Sequence, residues 1–199
     1  DWSSDVCSSD LENILTNIFI LGGDIMSVIT FICAGQMASA ITFPAFENGH
    51  EVRLVGSPLD REIIDGLRKD NFHITLKRTL YDGIKYYQIE ELEEALEGAD
   101  AIIGGVSSFG LDWFCDEILP VVPEGVPLLS VTKGMVNLED GTLLPYPTIF
   151  EQRKPEGRNL NINAIGGPCT SYELADHDDS WVAFCGKDME TLKFLKGLL

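Results

Sequence analysis

The chain has 199 residues, 45% of them hydrophobic, with 14 Lys and Arg against 32 Asp and Glu and a formal net charge of −18. That length carries one domain with a full core. The acidity excludes a general nucleic-acid binder, which needs a basic face to displace phosphate counterions, and it disfavours an anionic membrane surface for the same reason. No apolar run approaches the ~20 residues of a spanning helix. Five cysteines, Cys7, Cys33, Cys115, Cys169 and Cys185, form no C-x-x-C pair and no metal-ligand spacing, so no metal site is expected. Their odd number and apolar settings predict reduced thiols and a cytoplasmic protein.

Residues 1–25 stand apart. "DWSSDVCSSDL" resembles a translated sequencing adapter, and "LGGDIM" is compatible with a ribosome-binding sequence just ahead of a start codon. We therefore expect 1–25 to be a non-native leader and the natural protein to begin at Met26. A secretory signal is the rival for the apolar "ILTNIFILGG", but no Lys or Arg precedes it.

From Met26 onward short apolar runs alternate with helical segments. "SVITFIC" reads as a buried strand, Gln36 to Asn48 as a helix stopped by Gly49, and "EVRLV" as the second strand. Asp60 to Lys69 has Ile63, Ile64 and Leu67 on one helical face. Residues 71–83 read as a loop, "IKYYQI" as a short strand, Glu90 to Glu97 as an acidic helix, and "ADAIIGGV" as a strand ending in glycines. "DWFCDEIL" is a helix stopped near Pro120; "PLLSVT" and "NLNINAIGG" are strands. "SYELAD" begins a helix, "WVAFCG" is a strand and "METLKFLKGLL" a final helix. This alternation predicts an α/β fold: a doubly wound, mainly parallel Rossmann-type sheet with helices on both faces, over residues 26–199. Ligands of such sheets sit beyond the carboxyl ends of the strands.

The candidate residues fall at those ends. In Cys33-Ala34-Gly35-Gln36-Met37-Ala38, Gly35 stands where a dinucleotide turn needs close backbone approach and Ala38 where it needs a small residue, while Cys33 replaces the first glycine. A cysteine fits there if its φ stays negative. The helix start that follows offers free N–H groups to an anion. After the second strand, Ser57 can bond a hydroxyl or phosphate and Arg61 can reach a 2′-phosphate. Asp60 opposes a 2′-phosphate or simply caps the next helix, so NAD and NADP both stay open. Lys133, between Thr132 and Gly134, lies where an ammonium can polarise a carbonyl or bind an anion, or be an ordinary strand-end lysine. Gly166-Gly167-Pro168-Cys169 turns into a helix that Thr170 or Ser171 can cap. Cys169 has no positional partner except His177, which favours packing over nucleophilic chemistry. His50 and His73 carry no motif and are expected to be structural or solvated.

Taken in order, "CAGQMASAI…NGHEVRLV", "ADAIIGGVSSFGLDWF", "SVTKGM" and "GGPCTSYELADHD" resemble the N-terminal domain of NAD(P)-dependent glycerol-3-phosphate dehydrogenase across essentially everything from Met26. The resemblance implies NAD or NADP as cofactor and reversible reduction of dihydroxyacetone phosphate to sn-glycerol 3-phosphate, which feeds phospholipid synthesis. It places Gly35, Gln36 and Met37 under the pyrophosphate. Ser107, Ser108 and Phe109 then line the adenosine–nicotinamide path, Gly167, Pro168 and Cys169 border the nicotinamide, and Lys133 faces the substrate. The family also has a C-terminal helical domain, with a second lysine and an Arg-Asn pair for the substrate phosphate, through which a homodimer can form. None of this is expected within residues 26–199, which leaves half of an active site. Two other readings share these features: a ketopantoate-reductase-like enzyme, and a non-catalytic nucleotide sensor that would lack a lysine in the cleft.

Overall fold

The computed structural model describes residues 26–199. The expected leader lies outside the described residues. Seven strands form one sheet: β1 (Val28–Ile32), β2 (Glu51–Val55), β5 (Lys85–Tyr87), β6 (Ala101–Gly104), β7 (Pro127–Ser130), β10 (Asn161–Gly166) and β11 (Ala183–Cys185), in the spatial order β11-β10-β7-β6-β1-β2-β5. Every neighbouring pair is parallel except β10 with the edge strand β11. The order reverses at β1, whose two neighbours are β2 on one side and β6 on the other. A crevice opens there, beyond the ends of β1 and β6, because the connections leave to opposite faces.

The central strands are apolar at successive positions because both faces are covered. Ile103 and Leu129 point into one core, with Ile41 and Phe43 of α1 (Gln36–Glu47) and Ile64 and Leu67 of α2 (Arg61–Asp70). The adjacent Ile102 and Leu128 point into the other. That second core holds α3 (Leu92–Leu96), α4 (Leu111–Trp113, continued by a wide turn over Phe114–Ile118) and α5 (Tyr146–Arg153). Burial of a side chain such as Phe31, Phe114 or Phe150, each almost fully enclosed, stabilises the fold by ~1.5–3 kcal/mol. The first face is completed by α6 (Ser171–Ala175) and α7 (Met189–Leu198), which contributes Leu195 and Leu198.

Three stretches depart from the sequence reading. The expected loop at 71–83 holds a small antiparallel hairpin, β3 (Phe72–His73) with β4 (Arg78–Thr79). A second hairpin, β8 (Met135–Asn137) with β9 (Leu143–Pro145), and α5 fill residues 135–153, where no element was expected. Strands of two or three residues are too short to show a period, so tertiary contacts alone define them. The start of the expected acidic helix is a 3₁₀ turn over Ile89–Glu91. Among the described residues no helix is long and apolar enough to cross a membrane, and no group of three or more His, Cys, Asp or Glu could hold a metal ion.

Candidate functional site

At the end of β1 the backbone turns through Cys33 with φ +76°. This is the left-handed region, so the condition of a negative φ is not met: the position keeps the conformation a glycine would adopt and strains the cysteine by ~1–2 kcal/mol. The thiol is 5% exposed, and burial, reinforced by the negative charge of Asp60, holds it protonated far above its ordinary range. It is therefore inert.

Both polar groups of the next residue are taken by side chains distant in sequence. The Ala34 N–H donates to Asp60 Oδ2 at 3.0 Å, and the Ala34 carbonyl accepts from His73 Nε2 at 2.9 Å. The same Asp60 oxygen accepts from the Ser57 N–H at 2.8 Å and from Ser57 Oγ at 2.6 Å. Asp60 occupies the N-cap position of α2 but makes no side-chain cap bond; its carboxylate points back at the turn instead. His73 is completely buried, not solvated. Its Nδ1 accepts from the Leu76 N–H at 3.1 Å, which leaves the proton on Nε2, and burial lowers its pKa below the ordinary 6.5. Sequence reasoning missed this pair, because a lone histidine in a polar stretch carries no signal of what it will meet.

Gly35 then serves as N-cap of α1, and no side chain caps that helix. The first N–H groups of that helix therefore have no side-chain acceptor, the arrangement that suits a phosphate anion. A Cβ on Gly105 would lie 2.3 Å from Ala38 Cβ, so α1 packs directly against the backbone at the end of β6, the close helix–strand packing that the small residue at 38 permits. The Gln36 side chain leaves the crevice: Nε2 donates to the Thr75 carbonyl at 2.8 Å and to Tyr172 Oη at 3.3 Å. Only its backbone is available to a ligand there. Ser107, Ser108 and Phe109 follow β6 with their side chains exposed, Phe109 by 99%. Arg61 pairs with Glu90 on the surface.

At the end of β7, Thr132 Oγ1 donates to the Val106 carbonyl and ties β7 to β6. Lys133 crosses to the β10 turn, where Nζ donates to the Gly167 carbonyl at 2.6 Å and the Cys169 carbonyl at 3.0 Å. Of its three N–H donors one is left for a ligand. Gly167 has φ +117°, and a Cβ there would meet the Trp181 carbonyl at 2.8 Å. Thr170, rather than Ser171, caps α6 in a reciprocal box with Glu173. His177 pairs with Glu47 at 2.6 Å, away from Cys169, whose thiol is buried. Met37, Lys133 and Cys169 share one groove of about 610 Å³, and Lys133 also borders a second, of about 690 Å³, with Gly167.

A turn in glycine-like conformation at the switch point of a parallel sheet, followed by an uncapped helix start, defines a dinucleotide-binding domain of the Rossmann type. The family model described as the NAD-dependent glycerol-3-phosphate dehydrogenase N-terminus matches residues 28–192, and the chain belongs to that family. It is 31% identical over 157 residues to the NADP(+)-dependent glycerol-3-phosphate dehydrogenase of Archaeoglobus fulgidus, covering 79% of this chain and 46% of that protein. To the glycerol-3-phosphate dehydrogenase [NAD(P)+] of Streptococcus sanguinis it is 27% identical, covering 85% and 48%. The crystal structure of glycerol-3-phosphate dehydrogenase from Coxiella burnetii superimposes with a TM-score of 0.72 at 18% identity, over 87% of this chain and 51% of that one, a likeness of fold. The chain spans about half the length of the curated relatives it matches.

Proposed function

We propose that residues 26–199 are the cofactor-binding half of a glycerol-3-phosphate dehydrogenase, taking NAD or NADP and serving reversible hydride transfer between dihydroxyacetone phosphate and sn-glycerol 3-phosphate. The observation that carries this is that Met37 in the first turn of the uncapped α1, Lys133 and Cys169 line one groove, with Lys133 bonded to the β10 turn. When bound, the nicotinamide supplies or accepts the hydride. The backbone N–H groups of Gly35, Gln36 and Met37 hold the pyrophosphate. Ser57 lies at the adenosine ribose, Ser107, Ser108 and Phe109 flank the path between the two nucleosides, and Gly167, Pro168 and Cys169 border the nicotinamide. Lys133, anchored by two carbonyls, offers its remaining N–H to the substrate carbonyl oxygen and stabilises the charge that develops there. Four unpaired cysteines among the described residues fit a reducing, cytoplasmic setting. In the whole protein the relatives' second half completes the site and carries a homodimer contact.

Calorimetric titration of the chain with NADH and NADPH tests this. At least one should bind saturably, while dihydroxyacetone phosphate is not turned over. Joined to the second half of a relative, the chain should turn it over. A chain that binds neither nucleotide, or one that reduces the substrate unaided, overturns the assignment.

A further inference from the structure

We infer that Asp60 and His73 form a clamp on the two peptides that flank Ala34, and that this clamp holds the β1–α1 turn in its nucleotide-binding shape against the strain of Cys33. The inference rests on the cofactor reading above, since a turn needs holding only if something docks on it.

Three observations meet at one residue. Cys33 sits at φ +76°, a conformation a non-glycine residue leaves readily unless its neighbours over-determine it. Directly after it, the Ala34 N–H and carbonyl are each bonded by a side chain, at 3.0 Å by Asp60 and at 2.9 Å by His73, from positions 26 and 39 residues away. Neither arm is free to swing. Asp60 Oδ2 is fixed by the backbone and hydroxyl of Ser57 at the end of β2. His73 is enclosed in the β3–β4 hairpin, with the Leu76 N–H on Nδ1 dictating that Nε2 is the donor. The two peptide planes that flank the Ala34 Cα are thus each held by one side chain, Cys33–Ala34 through its N–H by Asp60 and Ala34–Gly35 through its carbonyl by His73. Neither can rotate without breaking its bond, the first of them to a carboxylate, the stronger kind. A glycine at 33 would populate the same φ without strain and would need no such restraint. Asp60 and His73 are positioning residues; neither is placed against the cofactor itself.

The test is a double-mutant cycle on the full chain, read by nucleotide affinity and, without ligand, by hydrogen exchange at the Ala34 amide. In the unaltered chain that amide should be protected. His73→Asn, which loses a donor at the ε position, and Asp60→Ala should each weaken binding of the preferred nucleotide by about tenfold, the scale of one lost charged or buried hydrogen bond. His73→Gln, which restores a donor near the ε position, should recover most of that loss. Combined with Cys33→Gly, the same changes should cost no more than about threefold, because the turn no longer has strain to release. Equal losses with and without Cys33→Gly, or no recovery by His73→Gln, overturn the proposal. So does an unprotected Ala34 amide. Should His73→Asn fail to fold, the Asp60→Ala arm of the cycle decides alone. If the unaltered chain binds neither NADH nor NADPH, the cofactor reading falls. A protected amide with nucleotide affinity unmoved by the variants leaves that reading standing and removes the clamp.

Discussion

Two strand-end turns face the crevice, and they are held in opposite ways. The β1 turn at Cys33–Gly35 is gripped by a buried histidine and a half-buried aspartate. The β10 turn at Gly166–Cys169 is held from the solvent side by the ammonium of Lys133, an exposed residue. On the proposed assignment the first turn only receives a phosphate, so it can be rigid before the ligand arrives. On the same assignment the second turn lies beside the reacting carbon and shares its anchor with the chemistry. That anchor must stay charged, reachable and incompletely bonded.

The sharpest way to break this contrast is Lys133→Ala. In the chain joined to a relative's second half, turnover should drop by roughly two to three powers of ten, the scale of one preorganised electrostatic group, while nucleotide affinity changes little. A near-normal rate would make Lys133 a structural strut, and the two turns would then be held for the same reason. Next comes Gly167→Ala, where the added Cβ would sit 2.8 Å from the Trp181 carbonyl at a φ of +117°. A loss of about 2 kcal/mol or more in denaturant unfolding is expected, because both the backbone and the contact resist it.

Acidification should separate the turns further. Burial lowers the His73 pKa below 6.5, so the neutral ring is the folded form. Its contribution is therefore present above pH 6.5 and is lost as pH falls below it. The groups facing the ring are the Ala34 carbonyl, the Leu76 N–H, Thr75 Oγ1 and, at longer range, Asp60. His177 works in the other direction: Glu47 raises its pKa, so its smaller, solvent-screened contribution is present below pH 6.5 and lost as pH rises through the raised value. Melting temperatures measured between pH 7.5 and 5.5 should fall, and His73→Gln should flatten that slope. An unchanged slope would show that His73 is not the titrating group.

The smallest effect is expected from Cys33→Gly. Relief of ~1–2 kcal/mol of backbone strain is offset by ~0.5–1 kcal/mol of glycine's extra unfolded freedom, together with the lost burial of the thiol. Net stability should stay within about 1 kcal/mol of the original, with nucleotide binding equal or modestly tighter by calorimetry. Clear weakening would mean that the cysteine side chain itself serves the turn.

Hydrophobic patterning was enough to specify the sheet: β-branched and apolar runs at 28–32, 51–55, 101–104, 127–130 and 161–166 alternate with helical spacing, and only a parallel sheet covered on both faces buries them all. The positions at the strand ends, Gly35, Lys133 and Gly167, were equally legible, because each directly follows a buried strand and so falls beyond the carboxyl edge whatever the side-chain details. What escaped was everything set by contacts between distant residues. The antiparallel direction of β11 and the hairpins at 72–79 and 135–145 depend on which surface was left to pair, not on local period. The sign of φ at Cys33, the inward turn of Asp60 and the burial of His73 belong to the same class. Each goes with satisfying the N–H and the carbonyl of buried Ala34, from residues 26 and 39 positions away. A sequence shows which residues can donate and accept, but only the packed chain decides which of them meet.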